Sequence, residues 1–200
     1  AHIRLALRVG ADAICEKPLV LNPWNIDVLE ELAQEQNQKI YTVLQLRYHP
    51  SITNLRKKII SQKKTSKHEI DLTYVTSRGK WYQVSWKGDT ERSGGIVTNI
   101  GIHFFDMLIW IFGKPEHVEV HFTSPTKASG FLELENARVR WYLSLDHRDL
   151  PIGQIQNGQT TFRSINIDGE EIEFSGGFTE LHTKTYEEII NGNGFTPEDC

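Results

Sequence analysis

Three polar side chains with the chemistry for proton transfer or ligand binding interrupt an apolar segment in the middle of the chain. Asn99, His103 and Asp106 follow the spacing i, i+4 and i+7, which places them on one face of a helix. An imidazole titrates near neutrality and can therefore exchange a proton at physiological pH. Buried polar groups need partners, so this face must meet either other polar side chains or a ligand. The alternative is a core histidine that only satisfies hydrogen bonds.

The segment that carries these residues is predicted to form a helix over residues 98–112. Gly94 and Gly95 precede it, and glycine allows a turn or a close approach to a ligand. Gly113 and Pro115 follow it, as expected for a glycine C-cap and a proline that cannot continue the helix. Apolar residues fall on every side of this helix, so we expect it to be buried all round.

A second candidate, Lys17, follows a short apolar strand at residues 11–15. A helix comes next, and a second predicted strand at residues 40–46 leads into Arg47, Tyr48 and His49. Alternation of helix and strand is typical of a doubly wound α/β sheet, in which ligands bind at the carboxyl ends of the strands. Lys17 and the Arg47–His49 group would both lie there, although Lys17 could also be an ordinary surface lysine.

After a predicted helix at about residues 51–62 and a basic run at 63–67, the pattern changes to a series of strands that the helix at 98–112 interrupts. Hairpin-type turns at 136–137 and 168–169 connect several of them. We therefore predict the tail of a Rossmann-like parallel sheet, residues 1–48, followed by an α+β domain, residues 49–200. In that second domain helices cover one face of a mainly antiparallel sheet. The predicted strands are 69–77, 117–124, 128–134, 138–145, 160–168 and 170–174, and a last helix is predicted at 179–191.

Composition excludes several classes of protein. The 200 residues carry a net charge of −4 and a pI of about 6.1, so no electrostatic footprint for nucleic acid is present. We expect no apolar run long enough to cross a membrane. Cys15 and Cys200 have no metal-binding or redox spacing and indicate free thiols in a reducing cytoplasm. Because Met107 is the only methionine and the chain begins within a predicted helix, we expect a piece of a longer protein.

The motif Glu16-Lys17-Pro18, joined to residues 6–15 before it, resembles the glucose-fructose oxidoreductase/inositol dehydrogenase (Gfo/Idh/MocA) family. The later Gly101-Ile102-His103 with Asp106 belongs to the same pattern, and the resemblance extends over essentially all 200 residues. Residues 80–89, 99–106 and 174–178 resemble one subgroup of the family. That subgroup contains the UDP-N-acetyl-2-amino-2-deoxyglucuronate 3-dehydrogenases of bacterial surface-polysaccharide synthesis.

The resemblance implies an oxidoreductase that uses NAD to oxidise the 3-hydroxyl of UDP-N-acetylglucosaminuronate (UDP-GlcNAcA) during lipopolysaccharide or O-antigen synthesis. It also implies an N-terminal Rossmann domain and a substrate domain whose antiparallel sheet builds a dimer or tetramer. These 200 residues contain no Gly-x-Gly-x-x-Gly turn for the dinucleotide phosphates. We therefore expect this chain to carry the substrate half of the site, with only the rear of the cofactor half, and to bind dinucleotide poorly.

Roles follow from the same resemblance. Lys17 is expected to hydrogen-bond the reacting hydroxyl, and either Lys17 or His103 to accept its proton, while Asn99 hydrogen-bonds the substrate. We thus expect catalysis from Lys17, His103 and Asn99, and cofactor binding by Glu16, Lys17, Pro18 and Gln45. Substrate binding is expected from Arg47, Tyr48, Tyr82, Ser85, Trp86, Lys87, Asn99 and His103.

Several alternatives stay open. The aromatic residues Trp81, Tyr82 and Trp86 could pack under a loop, and Asp106 is interpreted as a structural partner. A metal bound by His103 and Asp106 is disfavoured because no second group of ligands has suitable spacing. The activity could instead be the dehydrogenation of a free sugar or cyclitol. The chain could also be a non-catalytic dimerisation and sugar-nucleotide-binding module.

Overall fold

The computed structural model describes residues 2–62, 66–172 and 179–199. The α-helices in these ranges are α1 His2–Arg8, α2 Trp24–Gln36, α3 Pro50–Ser61, α4 Lys80–Val84, α5 Thr90–Ser93, α6 Ile102–Phe112, α7 Ile152–Gln156 and α8 Leu181–Ile190. The strands are β1 Ala13–Cys15, β2 Ile40–Thr42, β3 His68–Thr76, β4 Pro115–Thr123, β5 Lys127–Leu134, β6 Ala137–Ser144, β7 Thr161–Ile167 and β8 Glu170–Glu171.

The chain divides into two compact units. The first unit contains Ala1–His49 together with Gly177–Cys200, and the second contains Pro50–Gly176. The last helix, α8, thus belongs to the same unit as α1, β1, α2 and β2. The dinucleotide-binding role of residues 1–48 and the substrate-binding role of residues 49–200 stay predictions.

The first unit is built on a small parallel sheet. Strands β1 and β2 pair in parallel, with Ala13 opposite Ile40 and Cys15 opposite Thr42. Leu7 of α1 and Leu29 of α2 are buried in a cluster with Ile40, so the two helices share the core of this unit. The predicted strand over 40–46 is too long. It ends at Thr42, and a 3₁₀ turn over Gln45–Tyr48 follows.

The second unit contains a six-stranded sheet in the order β4-β5-β6-β3-β7-β8. Within the described part of this sheet only β3 and β6 pair in parallel, and its other strand pairs are antiparallel, which confirms the predicted architecture. The β7–β8 hairpin turns through Asp168 and Gly169, both with positive φ, as its sequence indicates. The predicted strand 170–174 ends at Glu171 in β8, and residues 173–178 lie outside the described part of the chain.

Helices cover one face of this sheet, as predicted. Along most of β3, β5 and β6 buried residues alternate with exposed or half-buried ones, and the last residues of β3 and β6 are buried in succession. Helix α6 contacts the buried face through aromatic pairs. The ring centroids of Phe104 and Tyr74 are 4.8 Å apart, and those of Phe105 and Trp141 are 5.3 Å apart. These contacts anchor the helix that carries His103.

The segment before α6 departs from the predicted α-helix. Residues Val97–Gly101 form a π-helical turn, and regular α-helix starts only at Ile102. A π turn bonds i to i+5 and is therefore wider than an α turn. The i, i+4 spacing that placed Asn99 on the same face as His103 assumed α-helical geometry, so that argument does not hold across the turn. The predicted C-cap is confirmed, since Gly113 has a φ of +93°.

The stretch Thr90–Phe112 is long and apolar enough by composition to cross a membrane, contrary to the sequence expectation. A core helix of a soluble protein passes the same test, so this is weak evidence for a membrane span. Gly94 and Gly95 both adopt positive φ and interrupt the stretch. Every residue of α6 is buried or half-buried within the protein, which favours a core helix.

A hydrogen-bonded cluster holds the chain after β6 to the sheet. The Asp149 carboxylate accepts hydrogen bonds from Lys127 Nζ at 2.8 Å, Tyr142 Oη at 2.7 Å and Ser144 Oγ at 2.5 Å. Burial alone raises the pKa of Asp149, but the hydrogen bonds from these three side chains together outweigh it and lower the pKa below its usual range.

This cluster predicts a pH dependence of stability. A carboxyl group whose folded pKa is depressed stabilises the folded state above its unfolded pKa, near 4, and loses that contribution as the pH falls through the folded pKa. We expect the free energy of unfolding, measured with denaturant between about pH 3 and 7, to fall on acidification. Asp149→Asn should flatten that dependence, whereas Glu91→Gln, at an exposed helix position, should leave it unchanged. Parallel curves for Asp149→Asn and the wild type would contradict the prediction.

Candidate functional site

The predicted cofactor residues lie where the two parallel strands of the first unit end. Val43 N donates a hydrogen bond of 2.9 Å to Cys15 O, so the chain leaves β1 and β2 at one edge of the sheet. Glu16, Lys17 and Pro18 follow β1 directly, and the Lys17–Pro18 peptide bond is cis. The carboxyl end of a parallel sheet is where dinucleotides bind in doubly wound folds. The position of these residues agrees with that rule, and their contact with the cofactor stays a prediction.

Neighbouring groups at this edge are ordinary surface groups. Glu16 Oε1 lies 3.2 Å from His182 Nε2, with both side chains more than half exposed. Burial, and secondarily the charge of Glu16, raises the pKa of the Cys15 thiol above its ordinary value. Cys15 is thus a protonated, partly buried thiol at neutral pH and has no features of a reactive cysteine.

The two residues expected to reach the substrate from β2 are engaged within their own unit. Arg47 is almost fully buried, its Nη1 donates to Asp199 O at 2.9 Å, and its guanidinium lies 4.6 Å from the Phe195 ring centroid. Tyr48 Oη donates to Asn193 O at 3.3 Å, and burial raises its pKa to about 12. Both side chains therefore hold the C-terminal segment, and their substrate contacts stay predictions. Gln45 is half-buried in the same 3₁₀ turn.

In the second unit the structure brings two predicted substrate residues together. Asn99 Nδ2 donates a hydrogen bond of 2.7 Å to Tyr82 Oη, and both side chains are buried. Asn99 lies in the π turn, and Tyr82 lies on α4, so this bond connects two short elements that are distant in sequence. A buried hydrogen bond of this kind orients the carboxamide of Asn99. His103 and Asp106 follow on α6 and are half-buried.

The segment on either side of Tyr82 forms an exposed aromatic surface around Lys87. Lys87 Nζ lies 5.7 Å from the Trp81 ring centroid and 5.8 Å from that of Trp86, a cation–π arrangement. Both indoles are more than half exposed, so Trp81 and Trp86 are not packed under a loop. Tyr82, by contrast, is buried. Ser85 Oγ donates to Tyr82 O at 2.8 Å and accepts from Lys87 N at 3.3 Å, which fixes the turn that presents Lys87.

The residue types gathered in the second unit suit a sugar that carries a charged group. Exposed aromatic rings offer apolar faces, Lys87 supplies a positive charge, and Asn99 and His103 supply polar atoms. Among the residues that the structure describes, no group of three or more histidine, cysteine, aspartate or glutamate side chains could hold a metal ion.

Sequence reasoning missed two features of the second unit. Arg78, directly after β3, lines a cavity with Tyr82, and the clustering of Arg78, Lys80 and Lys87 without an acidic residue was a signal for it. His68 is buried on β3 with its Nδ1 2.7 Å from Asp168 Oδ2. No pattern in the sequence pairs these two residues, because 100 positions separate them.

Comparison with known proteins places this fold in a family. Residues 66–157 match the model of the C-terminal alpha/beta domain of the Gfo/Idh/MocA oxidoreductase family. Two crystal structures of the WlbA (WbpB) dehydrogenase from Thermus thermophilus share 52% sequence identity with the chain. They superpose on 99% of it with TM-scores of 0.95 and 0.94. One is a complex with NAD and alpha-ketoglutarate, and the other is a complex with NAD and UDP-GlcNAcA.

More distant relatives come from Bacillus subtilis. The putative oxidoreductase YteT is 27% identical over 121 residues, which is 59% of this chain and 28% of that protein. The scyllo-inositol 2-dehydrogenase (NADP(+)) IolW is 23% identical over 195 residues, which is 88% of this chain and 51% of that protein. The chain spans 63% of the Thermus thermophilus protein and about half or less of these two relatives. The family match, the fold and the 52% identity together fit a C-terminal portion of a Gfo/Idh/MocA oxidoreductase.

Proposed function

We propose that the protein containing this chain is an NAD-dependent dehydrogenase that oxidises the 3-hydroxyl of UDP-GlcNAcA. The observation that carries the proposal is the 52% identity, over 99% of the chain, to a dehydrogenase crystallised with NAD and UDP-GlcNAcA. The edge formed by Glu16–Pro18 and the surface formed by Trp81, Trp86 and Lys87 support it, because they suit a nicotinamide and a charged sugar respectively.

In the proposed reaction the hydroxyl loses its proton and C3 loses a hydride, which leaves a ketone. NAD supplies the hydride acceptor when it is bound. Glu16, Lys17, Pro18 and Gln45 would hold its nicotinamide end, and Lys17 or His103 would take the hydroxyl proton. Asn99, held by Tyr82, would orient the sugar. Such a ketone is the substrate form that an aminotransferase requires, consistent with a place in lipopolysaccharide or O-antigen synthesis in the cytoplasm.

We also propose that the protein forms a homo-oligomer through its antiparallel sheet. Strand β4 lies at one edge of the sheet, and Val118, Val120 and Phe122 are each more than half exposed there. Exposed apolar residues on an edge strand favour association with a second chain.

The test is to mix the natural protein that contains this chain with NAD and UDP-GlcNAcA and to follow the absorbance of NADH. Turnover of UDP-GlcNAcA, with none of UDP-GlcNAc or free inositol, is the expected result. Turnover of inositol instead would favour the second candidate, a cyclitol dehydrogenase, which the match to IolW supports. If the folded, NAD-binding protein oxidised none of these, the proposed substrate would be discarded. If it bound UDP-GlcNAcA but no NAD, a non-catalytic sugar-nucleotide-binding module would replace the enzyme.

Replacement of Lys87 by alanine should weaken the binding of UDP-GlcNAcA more than the binding of UDP-GlcNAc. The lysine charge is expected to contact the carboxylate, which UDP-GlcNAc lacks, and a charge-assisted contact contributes about 1.5–3 kcal/mol. The ratio of kcat/KM, or of Kd where turnover is absent, measures the difference. Lys80→Ala, seven residues earlier on α4, is the matched control. Equal losses for the two ligands would argue against a carboxylate contact at Lys87.

A further inference from the structure

The second unit contains a cavity of about 260 Å³, and among its described lining residues Tyr82 alone has a ligand-binding role predicted from the sequence. Its polar lining consists of Arg78, Tyr82, Gln83 and Thr126, and Pro125 and Leu145 contribute apolar walls. A cavity of this volume is at the lower end of ligand sites and takes a sugar-sized group rather than a whole sugar nucleotide.

Backbone hydrogen bonds hold the walls of this cavity in place. Leu145 N donates to Thr126 O at 2.8 Å, and Arg78 N donates to Leu145 O at 3.4 Å, which connects three separate segments. Gly88 closes another side, because a Cβ there would lie 2.6 Å from the backbone oxygen of Gln83 and only glycine permits this approach. The cavity is thus built by the fold of the second unit.

The electrostatics of the cavity favour an anion. Arg78 is the one charged residue among its described lining residues, and no described carboxylate forms an ion pair with it. Residues 78–88 contain three cationic side chains and no acidic one, although the whole chain has a net charge of −4. A guanidinium presents a fork of donors that matches carboxylate and phosphate oxygens.

The cavity also adjoins the proposed sugar site. Tyr82 lines it and accepts the hydrogen bond from Asn99, so a single tyrosine side chain separates the cavity from the π turn. Burial raises the pKa of Tyr82, while the hydrogen bond from Asn99 and the nearby Arg78 charge oppose that rise. A sugar held at Asn99 would therefore have its charged substituents within reach of Arg78.

We infer that Arg78, assisted by the Gln83 amide and the Thr126 hydroxyl, binds an oxyanion carried by the sugar substrate. This inference rests on the proposed function. UDP-GlcNAcA offers two such groups, the uronate carboxylate and the diphosphate, and both present the oxygen geometry that a guanidinium recognises. Arg78 is in this account a substrate-binding residue that discriminates between sugars with and without the anion.

The test measures equilibrium binding without NAD, so that no turnover occurs. Wild type, Arg78→Gln and Arg92→Gln of the natural protein are titrated calorimetrically with UDP-GlcNAcA, UDP-GlcNAc and UDP. Arg92 is the matched control because it loses the same charge, is largely exposed and lies 3.4 Å from Asp89 rather than in the cavity. Loss of a charge-assisted contact should raise the Kd about 10- to 100-fold in Arg78→Gln and leave Arg92→Gln unchanged.

The ligands distinguish the two anions. Weaker binding of UDP-GlcNAcA alone assigns Arg78 to the carboxylate, and weaker binding of all three ligands assigns it to the diphosphate. Arg78→Lys, which keeps the charge, should recover part of the affinity, which a purely structural role would not produce. Wild-type Kd values for all three ligands in Arg78→Gln would overturn this inference and leave the proposed function intact. Failure of the wild type to bind any of them would overturn both.

Discussion

Replacing His103 with alanine is expected to lower the turnover of UDP-GlcNAcA by about 10²-fold or more, the usual loss when a proton-transfer group is removed. Lys17→Ala should cause a loss of the same size if Lys17 is the proton acceptor or holds the reacting hydroxyl. His121→Ala on β4 and Lys184→Ala on α8 are the controls, because both side chains are exposed. Both controls should retain wild-type turnover.

The pH–rate profile separates the two candidates. An imidazole ordinarily titrates near 6.5 and a lysine near 10.4, so the limb of the profile reports which group must lose its proton. If His103 is the acceptor, the limb near neutrality disappears in His103→Ala and persists in Lys17→Ala. Wild-type rates in both variants would remove both residues from the mechanism.

Gly101→Ala is expected to destabilise the second unit by about 1–3 kcal/mol through overpacking. A Cβ at this position would lie 2.6 Å from Phe105 Cε2 and 2.8 Å from Leu143 Cδ1, well inside van der Waals contact. Gly101 ends the π turn, so relief of the clash requires a shift of Phe105 and Leu143 or of the turn itself. Thermal unfolding measures the loss, at about 2–4 °C for each kcal/mol in a chain of this size.

Gly153→Ala makes the same chemical change in a helix and is the control. Gly153 lies in α7 with open space around its would-be Cβ, so alanine should leave stability unchanged or raise it by up to about 1 kcal/mol. An unfolding temperature of Gly101→Ala equal to that of the wild type would show that the π turn tolerates a side chain.

The strands of the second unit and their hairpins were predictable because their signals are local. Alternation of apolar residues, and turn residues such as Asp168-Gly169, act over only a few positions. The end of β2 was predicted wrongly for the same reason. Val43, Leu44 and Leu46 are as buried as strand residues, whereas the flanking residues Thr42 and Arg47 are hydrogen-bonded to Phe195 and Asp199 of the C-terminal segment, which no local pattern predicts.

The chemistry of the candidate residues was likewise readable from the sequence, since His103, Lys17 and Asn99 are recognised by residue type and position. Their surroundings were not. The Asn99–Tyr82 bond spans 17 positions, and the Arg78 cavity joins segments as far apart as residues 78 and 145. Periodicity carries no information about such long-range pairs.

The sequence by itself determined the order of the strands and longer helices, the candidate catalytic residues and the resemblance to an oxidoreductase family, because these depend on residue type and short spacing. Tertiary structure decided the π turn at Val97–Gly101, the engagement of Arg47 by the C-terminal segment, and the cavity beside Tyr82. Each of these results from packing between segments distant in sequence, where the steric fit of a few atoms, such as those around Gly101, determines the local backbone.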